Sequence, residues 1–143
     1  MKTEDIAVVP RISWNDLFDD NGTPDSDYSF EFGEALRLAG FAILTDAPFR
    51  KDLLKRNYEL MTRVFDLGED FLTTKYTHPE IGFQRGYMPT KTEVGVRCGN
   101  EPDDKEVMAF GSYHNIYVDE IPKYTQTVEE YYAACQDVGY ALM

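Results

Sequence analysis

Two histidines, His78 and His114, are the only imidazoles in the chain. A non-haem iron site of the facial-triad kind needs two histidines and a carboxylate with coordination positions left open. His78-Pro79-Glu80 has a His-x-Glu spacing, and His114 would be the second imidazole. Against that reading, Pro79 separates the two would-be ligands in a predicted loop, where no strand fixes their directions. The sequence favours loop or surface histidines, with neither a metal site nor a catalytic residue. Phe83-Gln84-Arg85-Gly86-Tyr87-Met88 is better suited to a pocket. It combines a planar guanidinium that matches a carboxylate, a phenol, and a glycine that permits close approach. By this chemistry Arg85 and Tyr87 are candidate substrate-binding residues. The same segment also reads as an ordinary turn pinned by Gly86, with Arg85 in a surface ion pair worth ~0–1 kcal/mol.

The remaining reactive groups point to no chemistry. Cys98 and Cys135 form no CxxC and have no histidine nearby in sequence. Both read as reduced thiols of a cytoplasmic protein, with Cys135 a small core residue on an apolar helix face. The acidic clusters, Asp19-Asp20 and 101–104, lack the ordered ligand spacing of a calcium loop and read as solvated loops. No Gly-rich phosphate loop is present.

These groups must be held by a short series of elements. Residues 8–13 hold a proline among β-branched residues and predict an edge strand. Residues 19–27 predict a loop. A helix follows over 28–39, with Phe32, Ala35, Leu36 and Ala39 on one face, Ser26 or Asp27 as cap and Gly40 as stop. Residues 41–45 predict a buried strand. A second helix runs from about Phe49 to Asp66, with Leu54, Tyr58, Met61, Val64 and Phe65 at helical spacing. Gly68 breaks it, and 69–76 predicts a further short helix. The 78–123 stretch is irregular and holds four of the seven prolines, with 105–110 its one strand-like piece. Thr127-Val128-Glu129-Glu130 has the form of a capping box. The stripe Val128, Tyr131, Tyr132, Cys135, Val138, Gly139, Leu142 then predicts a last helix. Because that stripe runs to the final residues, the natural sequence is expected to continue.

The chain has 143 residues, 43% hydrophobic and 14% aromatic, with 10 Tyr and 9 Phe. That suffices for one domain over 1–143 with a sizeable core. With 14 Lys and Arg against 26 Asp and Glu, the net charge is −12. Such a chain repels phosphate backbones and anionic lipid, which excludes nucleic acid and membrane surfaces as expected partners. No apolar run approaches the ~18 residues of a membrane span.

The order of motifs carries a resemblance. Val9-Pro10-Arg11-Ile12-Ser13 opens the chain. Leu38-Ala39-Gly40-Phe41-Ala42-Ile43-Leu44 ends a helix and starts a strand. Val64-Phe65-Asp66-Leu67-Gly68-Glu69 through Lys75 follows, then Arg85-Gly86-Tyr87, then Lys105-Glu106-Val107-Met108-Ala109-Phe110-Gly111, then the helix from Tyr131 to Leu142. In this order the chain resembles the N-terminal domain of the isopenicillin N synthase-like family of Fe(II)/2-oxoglutarate-dependent dioxygenases. Two departures stand out: Thr45-Asp46-Ala47 replaces the family's Asn-His-Gly, and Gly68 replaces a proline. The family's Gly-Tyr segment runs past the active-site mouth, so the resemblance implies that Arg85, Tyr87 and Met88 face the substrate. Aligned on Gly86, Gln84 falls where isopenicillin N synthase has a substrate-holding Arg, and Met88 where it has a Tyr.

The resemblance implies an α+β domain of three to four helices with short strands, normally packed on a C-terminal jelly-roll. It places the iron ligands, a His-x-Asp with a distal His, and the Arg-x-Ser for 2-oxoglutarate in that jelly-roll. Fe(II) and 2-oxoglutarate are therefore implied for the other domain, with no cofactor held by this chain. The implied function is that of an N-terminal, pocket-lining part of a non-haem oxidoreductase. It would act on a small molecule and would not be catalytic alone. The other possibility is a free-standing acidic binding module derived from the same fold. The expected partner is the jelly-roll or a second copy, met through exposed apolar surface around Tyr132, Leu142 and Val107.

Overall fold

The computed structural model describes residues 9–95, 99 and 101–143. The fold is a small α+β arrangement of four α-helices and two two-stranded sheets. The chain divides into two compact units, Met1–Phe49 and Arg50–Met143.

In the first unit, β1 (Arg11–Ser13) pairs in parallel with β2 (Ile43–Thr45), Ile12 opposite Leu44. Between them, α1 (Ser26–Ala39) starts at Asp25 rather than at Ser26 or Asp27. The Asp25 carboxylate accepts the N–H groups of Asp27 (2.9 Å) and Tyr28 (3.3 Å), so it satisfies donors that the first helical turn leaves free. Gly40 ends the helix as expected, at φ +75, where its N–H reaches the Leu36 carbonyl. The 19–27 loop is built as its composition predicts: the Asp19 carboxylate accepts the N–H groups of Asn21 and Thr23, both at 2.8 Å. Residues 41–45 do not form a buried strand. Phe41 is 71% exposed and Ile43 41% exposed, because β2 is only three residues long and pairs on one edge alone.

In the second unit, α2 (Lys51–Phe65) turns at Gly68 (φ +88) into α3 (Glu69–Tyr76), and the long α4 (Tyr124–Ala141) packs on α2. Met61, Val64 and Phe65 of α2 face the core as predicted. Its N-terminal half is phased differently: Leu53 and Leu60 are buried, whereas Leu54 is exposed and Tyr58 stands in solvent. The core joins Leu60 and Val64 to Leu72 and Tyr76 of α3, to Tyr87, to Val118 and Ile121, and to Tyr124 and Val128 of α4.

A strand that the sequence did not announce crosses this core. β3 (Gly86–Met88) pairs antiparallel with β4 (Val107–Ala109), Tyr87 opposite Met108. All three β3 residues are buried. Gly86 sits at φ +80, and a Cβ there would collide with the Tyr76 backbone carbonyl. No other residue type fits that position without moving the end of α3.

The capping box does not form. α4 begins four residues earlier, after Lys123 at φ +66, and Thr127 is buried inside the helix. Burial of Ile121 and Tyr124 decides the start: the Tyr124 N–H reaches the Ile121 carbonyl (3.1 Å), which draws the chain into helix before Thr127. Cys135, expected in the core, is exposed, since the apolar stripe loses its cover after the Val128 turn. Cys98 lies outside the described residues. No described helix is long and apolar enough to cross a membrane.

Candidate functional site

The β3–β4 register places Arg85, just before β3, beside the chain that leaves β4 at Phe110 and Gly111. Arg85 is held there by main chain and ring contacts rather than by a carboxylate. Its Nε donates to the Tyr113 carbonyl (3.0 Å) and its Nη1 to the Gln84 carbonyl (2.6 Å). The guanidinium carbon lies 5.5 Å from the centre of the Tyr113 ring. The guanidinium rests on Gly111 so closely that a Cβ at 111 would overlap it. Asn115 closes the same loop: its Oδ1 accepts from the Gly111 N–H and its Nδ2 donates to the Gly111 carbonyl, both at 2.8 Å. Among the described residues Arg85 has no ion-pair partner, although the chain is strongly acidic. A guanidinium oriented by carbonyls and left without a counter-ion is preorganised for an anion.

Two cavities meet at this loop. Arg85 lines a small one of about 160 Å³ with Ile81, Gln84, Tyr113 and His114. Tyr113 and His114, whose rings meet edge to face at 5.4 Å, also line a larger one of about 470 Å³. Its opposite wall is one face of α4, with Glu129, Tyr132, Ala133 and Gln136 at i, i+3, i+4 and i+7. Tyr117 donates to Glu129 Oε1 at 2.7 Å across this cavity's lining, and that carboxylate raises the Tyr117 phenol pKa above its ordinary value.

The three predicted site residues are not brought together on one open surface. Arg85 reaches the small cavity, but Tyr87 is fully buried and Met88 is 8% exposed. Tyr87 donates to Glu106 Oε2 at 2.5 Å, and burial followed by this carboxylate pushes its pKa far upward. The phenol stays protonated as a fixed donor. Sequence reasoning missed Gly111, Tyr113, Asn115, Tyr117 and Glu129. The available signals were the glycine two residues after β4 and the Glu129/Tyr132/Gln136 spacing.

The imidazoles are placed apart from any ligand set. His78 Nδ1 lies 2.8 Å from Glu80 Oε1, a contact that lowers the Glu80 pKa. His114, at φ +55, stands on the cavity loop. Among the described residues no three or more His, Cys, Asp or Glu side chains are grouped to hold a metal ion.

No family model matches the sequence, and no curated protein matches it. The backbone is similar to a solved structure from Shewanella oneidensis described as a "Putative oxygenase", with a TM-score of 0.57 and 18% identity. The match covers 94% of this chain and 42% of that one, so this chain spans less than half the length of that protein. At such identity the likeness shows the fold alone: the backbone of this chain is built like part of that chain.

Proposed function

We propose that the chain is the N-terminal, pocket-lining part of a non-haem Fe(II)/2-oxoglutarate-dependent oxidoreductase. The observation that carries this reading is the backbone likeness over 94% of this chain to 42% of an oxygenase chain. The ordered motifs of the isopenicillin N synthase-like family agree with it. Iron and 2-oxoglutarate are assigned to a jelly-roll domain outside this chain, since the described side chains make no iron site. In a cytoplasmic enzyme of this kind the chain would meet the jelly-roll through apolar surface, or self-associate without it. Val107, Tyr132 and Leu142 are half-buried, while Tyr113 and Tyr140 are 67% and 64% exposed. The role of this chain is then to shape the pocket and orient a small anionic substrate on Arg85. Tyr87 and Met88 support that residue from inside the core.

The test is Fe(II)-dependent decarboxylation of 2-oxoglutarate. It is measured for the 143-residue chain alone and for the chain together with the polypeptide encoded directly after residue 143. The expected result is background turnover alone and iron-dependent turnover together. Arg85→Ala in the longer protein should then lower kcat/KM by at least about tenfold, ~1.4 kcal/mol of transition-state binding. Turnover by the chain alone, lost in His114→Ala, would overturn the assignment. A change within about twofold for Arg85→Ala, under ~0.5 kcal/mol, would reduce the 85–88 segment to a structural one.

A further inference from the structure

We propose that the larger cavity, between the 111–117 segment and α4, binds an organic ammonium group. The substrate class of the pocket is then a small molecule with an alkylated or quaternary nitrogen. As a statement about substrate, this rests on the oxygenase reading; as a statement about binding, it stands on the cavity alone.

The chemistry of the lining is the argument. Three tyrosine rings, Tyr113, Tyr117 and Tyr132, and one carboxylate, Glu129, border a space of about 470 Å³. No Lys or Arg is among the described residues that line it. The volume lies in the range of small-molecule sites, ~300–1,000 Å³. Aromatic faces carry negative potential and attract a cation placed over them, most with rings on several sides. Glu129 accepts the Tyr117 phenol with Oε1 and keeps Oε2 without a partner among the described residues. That hydrogen bond also fixes the carboxylate and one of the rings relative to each other.

The placement of Arg85 explains why the cavity should take only one end of a ligand. The guanidinium already lies against Tyr113 and lines the adjoining small cavity. An anion is drawn to that side of the Tyr113–His114 wall and a cation to the Glu129 side. The two cavities together therefore favour a molecule with opposite charges at its ends. The net charge of −12 adds a general attraction for cations but does not distinguish one site from another.

The experiment is calorimetric or NMR titration of the 143-residue chain with choline and with 3,3-dimethylbutan-1-ol, its neutral isostere. Choline should saturate one site and bind at least about tenfold more tightly than the alcohol, ~1.4 kcal/mol. Tyr132→Leu and Glu129→Gln should each weaken choline by a similar factor. Circular dichroism of each variant separates loss of the site from loss of the fold, and resonance shifts confined to 111–117 and α4 mark the site if a variant is unstable. Equal binding of choline and the alcohol, absence of saturation, or insensitivity to both α4 variants would overturn the proposal. Choline binding without turnover by the longer protein would sink the oxygenase reading and leave this site standing. Turnover without choline binding would do the reverse.

Discussion

At the scale of single residues, two glycines flank the candidate site and differ in what they protect. A side chain at Gly86 would meet the main-chain carbonyl of Tyr76 and would also have to adopt φ +80. Neither obstacle yields without moving α3. Gly86→Ala is therefore expected to cost ~2–3 kcal/mol in urea denaturation. At Gly111 the obstacle is the Arg85 guanidinium, the far end of a flexible side chain. Gly111→Ala should cost under ~1 kcal/mol and displace Arg85 from its carbonyl acceptors. Equal losses at the two positions would show that the Arg85 placement is not what Gly111 preserves. Tyr87 gives a third case. Its hydroxyl is the donor to the half-buried Glu106 carboxylate. Tyr87→Phe keeps the ring and strands that carboxylate, with an expected loss of ~1–3 kcal/mol. A neutral result in chemical denaturation would mean that water replaces the phenol at Glu106.

At the scale of elements, the start of α4 is the most instructive. A Thr-x-x-Glu sequence predicts a cap at Thr127, and removal of a true cap costs ~1 kcal/mol. Here Thr127 is 4% exposed and lies inside the helix, four residues past the Lys123 cap, so its hydroxyl caps no helix start. Thr127→Val should accordingly be neutral or stabilising by thermal melting. A loss near ~1 kcal/mol would restore the capping box. The segment before α4 is tied to α3 by a second device. Glu120 accepts from Lys75 and from the Tyr76 phenol, whose oxygen in turn accepts the Asp119 N–H. Lys75, then Tyr76, hold the Glu120 carboxyl down at about 2, against an ordinary 4.5. A lowered folded-state pKa contributes stability that is present above the unfolded value and disappears on acidification. The link should thus be intact above pH 4.5 and fade as pH falls toward 2. Melting curves of Glu120→Gln and the parent should converge over that interval; a constant gap would place the acid-sensitive group elsewhere.

At the scale of the whole molecule, charge outweighs any individual ion pair. Most of the ion pairs are exposed and local, such as Glu34 with Arg37 or Arg50 with Asp52, and solvent screening leaves each of them weak. The excess of acidic groups, 26 against 14, acts over longer distances and opposes compaction. Raising ionic strength from ~10 to ~150 mM shortens the screening length from ~30 to ~8 Å. Tm is expected to rise over that range. A fall would mean that the attractive pairs outweigh the repulsion. The same scale bears on function. A fold supplies a scaffold, but activity depends on groups at a site, and the described residues that line the two cavities bring a cation, aromatic rings and a carboxylate together.

Local rules were sufficient for much of this fold. Gly40 and Gly68 stop helices because only glycine adopts their left-handed or positive-φ turns at little cost, and 69–76 is a helix as its sequence predicts. The Asx-type loop at Asp19 was legible because its hydrogen bonds close within a few residues. β3 was not legible, because Gly86–Met88 is buried along its whole length and its partner lies 20 residues away. Nor was the phase of α2, whose apolar residues cover more than one face, so that only packing decides between Tyr58 and Leu60. Arg85 was conspicuous as a residue, but the Tyr113 carbonyl that orients it lies 28 positions on. The cavity on Glu129 and Tyr132 likewise depends on a loop and a helix brought together by the core. Spacing along a chain determines short-range hydrogen bonding; burial of distant side chains against one another determines which charges end up facing the same space.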